Sequence, residues 1–206
     1  MMRLGFAGGA MEIGGSCIYL RTDGRGILLD AGIRQGGSRD PVPDFSMLQE
    51  LGGVDAILVS HAHMDHIGTL PLVSRAYPHA PVYMTPMTAD LARVLLADSL
   101  KLMNRSEGEL PHYAQEDVTA MLNRIHSLNF RVRFPLFEDM AVTLYPAGHI
   151  AGAACIFLEC GEGTLFYSGD FCAFPQKTIE GIHIPKLRPD VAVVETTYGD
   201  RLHANR

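Results

Sequence analysis

The chain contains no apolar span of twenty residues, and its opening run, Met1-Met2-Arg3-Leu4-Gly5-Phe6-Ala7, enters a strand pattern at once. It offers neither a membrane-spanning helix nor a secretory leader, so the expectation is a cytoplasmic protein with no membrane partner. Cysteine is scarce: Cys17, Cys155, Cys160 and Cys172 include no C-x-x-C pair, a pattern that predicts reduced thiols. Repeats and low-complexity tracts are missing too. With 206 residues, 47% of them apolar, one substantial core suffices, and a single domain over residues 1–206 is expected. An excess of basic charge is also lacking. The net charge of −6 weighs against nucleic acid as a partner, because phosphate binding usually leaves a basic patch. Arg124, Arg131 and Arg133 form a modest cluster, and Arg34 and Arg39 lie in the Gly/Pro-rich loop after Asp30; each reads as an ordinary solvated charge.

Against these absences stands one dense motif. His61-Ala62-His63-Met64-Asp65-His66 places three imidazoles and a carboxylate directly after the apolar run Ala56-Ile57-Leu58-Val59. At an extended strand end residues i and i+2 point the same way, so His61 and His63 can grip one ion together. Asp65 and His66 fall where Gly68 and the apolar Ile67, Leu70, Leu72 and Val73 predict a turn opening into a helix, and there they can face a second ion. A dimetal centre needs another imidazole and a bridging carboxylate. His149 in Pro146-Ala147-Gly148-His149-Ile150-Ala151-Gly152 and Asp170 in Phe166-Tyr167-Ser168-Gly169-Asp170 supply candidates, each after a strand-like run and flanked by glycines that let backbone pass close to an ion.

In this order the motifs resemble the metallo-β-lactamase superfamily. Its signature is an Asp after an early strand, then H-x-H-x-D-H, a later His and a later Asp, and Asp30 in Gly26-Ile27-Leu28-Leu29-Asp30-Ala31-Gly32 matches the first step. The resemblance implies an α/β fold, a four-layer αββα sandwich, here incomplete on its C-terminal side. It assigns His61, His63 and His149 to a first ion and Asp65 and His66 to a second, with Asp170 bridging. Asp30 would stand behind a ligand.

A narrower resemblance lies in Val191-Ala192-Val193-Val194-Glu195-Thr196-Thr197-Tyr198-Gly199-Asp200-Arg201, which is similar to the E-[ST]-T-Y-G-[DN]-R segment of the β-CASP branch of RNA-processing nucleases. That likeness makes Glu195 the first of three further motifs. The other two are histidines, from a cap domain inserted after this point and from the chain beyond it; one is a proton donor and one a ligand to the second metal. Both lie past Arg206, so a cap domain is expected to follow this segment.

Strands are expected at about 3 to 7, 16 to 22, 26 to 30, 54 to 60, 81 to 84, 141 to 145, 154 to 159, 164 to 168 and 191 to 195. A helix is predicted over 86–103, with Thr85 as N-cap and Pro86 in the first turn, packing Leu91, Val94, Leu95, Leu102 and Met103 into the core. A second is predicted over 114–128, with Glu116 and Asp117 in its first turn. His79, His112, His126, His183 and His203 have no partner spacing and read as surface or core histidines. Cys172 reads as a small buried hydrophobe more than as a metal neighbour.

These readings converge on phosphodiester hydrolysis of RNA by a hydroxide held between two divalent ions, Zn²⁺ first, with Mn²⁺ suited to a site mixing carboxylate and imidazole. Asp65 would also orient the hydroxide, Asp30 would fix a ligand by hydrogen bonding, and by resemblance Glu195 would help protonate the leaving oxygen. Two alternatives stay open: a small-molecule ester, thioester or lactone hydrolase with the same core, and a metal-binding segment with impaired turnover. A homodimer is the assembly left open.

Overall fold

In the computed structural model, which describes residues 1–34, 40–104, 112–197 and 199, two sheets stack face to face. The first runs β1 (Arg3–Gly8), β2 (Cys17–Thr22), β3 (Arg25–Leu29), β4 (Ala56–Leu58), β5 (Val82–Met84) and β6 (Ile125–Ser127), side by side in chain order. Its first three strands are antiparallel and the rest join in parallel. The second comprises β7 (Phe134–Phe137), β8 (Met140–Pro146), β9 (Ala154–Cys160), β10 (Gly163–Tyr167) and β11 (Val191–Val193), with β11 at one edge, parallel to β10. The parallel crossovers carry the helices α1 (Ser46–Glu50), α2 (Met64–Ile67), α3 (Leu70–Ala76), α4 (Pro86–Met103) and α5 (Gln115–Leu122).

Strand alternation divides the core in two. Tyr19, Leu28, Ile57 and Val82 point toward the helices and meet Ile67, Leu70, Leu96 and Val118. Their neighbours Leu20, Ile27, Leu29 and Leu58 point the other way, onto Val142, Ile156, Leu158 and Leu165 of the second sheet. On that sheet's outer face Cys155 and Phe166 are covered by Phe171, Ile182 and Leu187 of the irregular segment 171–190. Among the described residues no helix lies there, so three of the four expected layers are formed. Nor is any of their helices long and apolar enough to cross a membrane.

Several local expectations are corrected. The helix predicted over 114–128 ends at Leu122, because Ile125–Ser127 leaves to pair in parallel with β5. α4 has the predicted bounds, and Thr85 Oγ1 caps it by accepting from Thr88 N at 3.2 Å, but its buried face is Ala89, Ala92, Leu96 and Leu100. Val94 and Leu102 point outward instead, 65% and 58% exposed. β11 stops at Val193 and is an exposed edge, shorter than 191–195. The expected turn opening into a helix is present, since Asp65 and His66 lie in the single turn of α2 (Met64–Ile67) that leads on to α3. Arg34 is no solvated charge: its Nε donates to Glu12 Oε2 at 2.8 Å and its Nη1 to the Val42 carbonyl at 2.7 Å. Arg39, Tyr198, Asp200, Arg201 and His203 lie outside the described residues.

Candidate metal centre

The six ligand candidates meet at the seam between the sheets. His61 and His63 follow β4 in extended chain, and His63 is the residue that enters α2, with ψ of 148°. His61 Nε2 lies 3.1 Å from His63 Nδ1, which in turn lies 3.1 Å from His149 Nε2, carried by the loop after β8. Asp170, just past β10, closes the group with its Oδ2 at 3.6 Å from His149 Nε2 and 3.9 Å from His61 Nε2. Its other oxygen, Oδ1, stands 3.4 Å from His66 Nε2. Ligand atoms of His61, His63, His149 and Asp170 thus form one group, and those of Asp65, His66 and Asp170 a second, each spanning no more than 4.8 Å.

The donor set fits metal. Four ligands at about 2.0–2.1 Å around a tetrahedral zinc stand about 3.3 Å from one another, close to the spacing seen between the imidazole nitrogens. Three imidazole nitrogens turned inward at this distance repel each other unless a cation or proton lies among them. Burial, then the neighbouring His66, His149 and His63, hold the His61 imidazole neutral, well below the usual histidine range, as a ligand must be. Burial also lowers His149, against the pull of Asp170. At His66 burial acts the same way, but the Asp30 and Asp170 carboxylates outweigh it and push the group up to about 10. A positive charge is favoured at that position. Asp170 loses solvent by burial, yet the His66 contact and the surrounding imidazoles keep its carboxyl below the usual carboxylate range.

Behind the ligands lies a network that sequence alone does not reveal. Asp30 is fully buried and adopts φ of 60°, a left-handed turn that Asp tolerates better than most side chains. Its Oδ2 accepts from His66 Nδ1 at 2.7 Å, from the Ser60 hydroxyl at 2.6 Å and from the Tyr167 hydroxyl at 2.6 Å, while Oδ1 accepts from Ser60 N at 2.7 Å. The His149 loop is fixed from two sides. Gln176 Nε2 donates to the carbonyls of Gly148 and His149 at 2.9 and 2.8 Å, and Thr85 and Thr88 hydroxyls reach the Gly152 carbonyl at 2.8 and 3.0 Å. Ser60, Tyr167 and Gln176 are common residue types whose only signal is tertiary, and Thr85 is legible only as a helix cap.

The flanking glycines clear packed neighbours. A Cβ on Gly169, which has φ of 52°, would come within 2.6 Å of Ser60 Cβ, so glycine lets the end of β10 close onto the strand that carries His61. Glu195 lines the same cavity mouth as Asp65, His66 and Asp170. Its amide donates to Ser168 Oγ at 3.0 Å and its Oε2 accepts from Thr197 N at 2.9 Å, so it is held at the rim without touching a ligand residue. Cys172 belongs to neither group, its thiol turned to the Phe174 carbonyl at 3.3 Å. His79, His112, His126 and His183 are exposed and join neither group.

Known proteins resemble this chain in the same terms. It is similar to Integrator complex subunit 11 of Danio rerio, 29% identical over 97% of this chain and 34% of that protein. It is similar to the probable RNase MJ4 of Methanocaldococcus jannaschii, 32% identical over 100% of this chain and 47% of the relative. The chain therefore spans between a third and a half of the length of these curated relatives, which stand in the β-CASP branch that the Glu195 segment resembles. In fold it is similar to a crystal structure of a protein of unknown function from Enterococcus faecalis V583, with a TM-score of 0.59 and 21% identity over 83% of this chain and 44% of the other. The family model described as a metallo-beta-lactamase superfamily domain matches residues 19–186. Sequence, sheet order and ligand geometry agree, and the chain belongs to the metallo-β-lactamase superfamily.

Proposed function

We propose that this chain carries the dimetal hydrolytic centre of an RNA-cleaving protein. The observation that carries the reading is the division of Asp170, which turns one oxygen to each of two ligand groups. His61, His63 and His149 would hold one ion, Asp65 and His66 the other, and Asp170 both, with Zn²⁺ the cation that best suits an imidazole-rich set. When bound, such a pair lowers the pKa of water and offsets charge on phosphoryl oxygens.

The remaining work falls to the chain itself. Asp30 accepts from His66 Nδ1 and so turns the ring to aim Nε2 at the centre, where a bound cation would take the place of its proton. Asp65 would orient the attacking water, and Glu195, fixed at the mouth by Thr197, would help deliver a proton toward the leaving oxygen. RNA is the preferred substrate because relatives across nearly the whole of this chain include one named as a probable RNase. Against a net charge of −6, the two ions would supply the local positive charge that meets phosphate.

The test is elemental analysis of the purified chain beside His63→Ala, with both assayed on labelled single-stranded RNA and on a panel of esters and lactones. Bound metal with slow RNA cleavage, abolished by chelator and by the substitution, is expected. Ester or lactone turnover without RNA cleavage would overturn the substrate assignment.

A further inference from the structure

Ser60 sits between the two ligand groups with one proton to give. Its hydroxyl is 2.6 Å from Asp30 Oδ2 and 3.0 Å from His61 Nδ1, and all three residues are buried, at 1%, 0% and 0% exposed. A carboxylate can only accept, so the single hydroxyl proton goes to Asp30. Ser60 Oγ is then an acceptor toward His61, and the contact is made only if His61 carries its proton on Nδ1. That tautomer leaves His61 Nε2 bare, facing His63 Nδ1 at 3.1 Å and Asp170 Oδ2 at 3.9 Å. His66 has no need of the serine: it lies 3.4 Å from Ser60 Oγ but 2.7 Å from Asp30 itself.

We infer that Ser60 is a positioning residue that links His61 to Asp30, so that one buried carboxylate sets the ring orientation of a ligand in each of the two groups. The link runs His61 Nδ1–H to Ser60 Oγ and Ser60 O–H to Asp30 Oδ2, while His66 Nδ1–H reaches the same oxygen directly. Two packing features hold the serine to this task. Its own amide is tied to Asp30 Oδ1 at 2.7 Å, and the missing Cβ of Gly169 leaves room for its side chain, since a Cβ there would come within 2.6 Å of Ser60 Cβ and 2.8 Å of its Oγ. The inference rests on the metal-centre reading for its purpose, though the hydrogen-bond chain itself is independent of any ion.

The deciding experiment combines long-range ¹H–¹⁵N spectra of the histidine rings in metal-free protein with Zn²⁺ affinity by chelator competition, on wild type, Ser60→Ala and Tyr167→Phe. Wild-type His61 is expected with its proton on Nδ1. Ser60→Ala keeps the amide bond to Asp30 and should release His61 to a mixed or Nε2-protonated form, weakening Zn²⁺ by about tenfold or more. Tyr167→Phe removes an equally short bond to the same carboxylate without cutting the link, and should leave the His61 tautomer as in wild type. His61 protonated on Nε2 in wild type, or a Ser60→Ala protein with unchanged tautomer and affinity, would overturn the inference. Should Ser60→Ala not fold, the wild-type spectrum alone still decides. Wild type that takes up no Zn²⁺ would sink the metal reading, with the tautomer still answering for Ser60.

Discussion

Asp170 turns its Oδ1 to His66 Nε2 at 3.4 Å and keeps its Oδ2 for the imidazoles of the other group. Removing this side chain should therefore strike both ion positions, whereas removing His63 strikes one. Asp170→Ala is expected to lower metal content below that of His63→Ala in elemental analysis of chelator-challenged protein. An Asp170→Ala protein that retains wild-type metal would contradict the sharing.

How much of this centre was legible follows from what local spacing can encode. His61, His63, Asp65 and His66 are neighbours in sequence, and strand and helix periodicities nearly suffice to aim them. His149 and Asp170 were found because strand ends and glycines mark places where side chains gather. Ser60, Tyr167 and Gln176 carry no such mark, since their partners arrive from 30, 137 and 28 positions away. The misplaced end of α5 has a related cause: Asn123-Arg124-Ile125 does not forbid helix, and only the parallel partner β5 makes strand the better choice. Glu195 was legible as a residue, but its strand was overextended because edge exposure leaves no trace in an apolar run such as Val191-Ala192-Val193-Val194.

Tyr167→Phe tests the fold at the same place. The Tyr167 hydroxyl is buried, pushed well above the usual tyrosine range by burial and by Asp30, and donates to a charged acceptor at 2.6 Å. Loss of such a bond costs about 1.5–3 kcal/mol. At about 2–4 °C per kcal/mol for a chain of this size, the melting temperature should fall by several degrees. A shift below one degree in metal-free protein would show that Ser60 and His66 alone satisfy Asp30.

The loop between β1 and β2 supplies a pH test. Arg34 beside Glu12 holds that carboxyl below the usual carboxylate range, so its folded value is depressed relative to the unfolded chain. Stability from this contact is present in full above the unfolded value of about 4.3 and is lost as pH falls through the lower folded one. Thermal melts from pH 6 to 3 should show a shallower acid loss in Glu12→Gln than in wild type; parallel curves would deny the pair any share in it.

Thiol chemistry gives a fourth check. All four cysteines are free, but burial pushes Cys17 strongly up and Cys155 up to about 12, which leaves both as inert thiols near neutrality. Brief iodoacetamide treatment at pH 7.5 should spare Cys17 and Cys155 while the more open Cys172 is alkylated, and denaturant should expose all four. Native labelling of Cys17 would mean that the sheet carrying the site opens readily.

The candidate ligands come from both sheets: His61 to His66 follow β4, while His149 follows β8 and Asp170 follows β10. Metal held there would act as a rivet through the seam, and its affinity would gauge how well the sheets are seated. Even a cut in the apolar filling between them, such as Leu158→Ala, should register at the ions as well as in the melting curve.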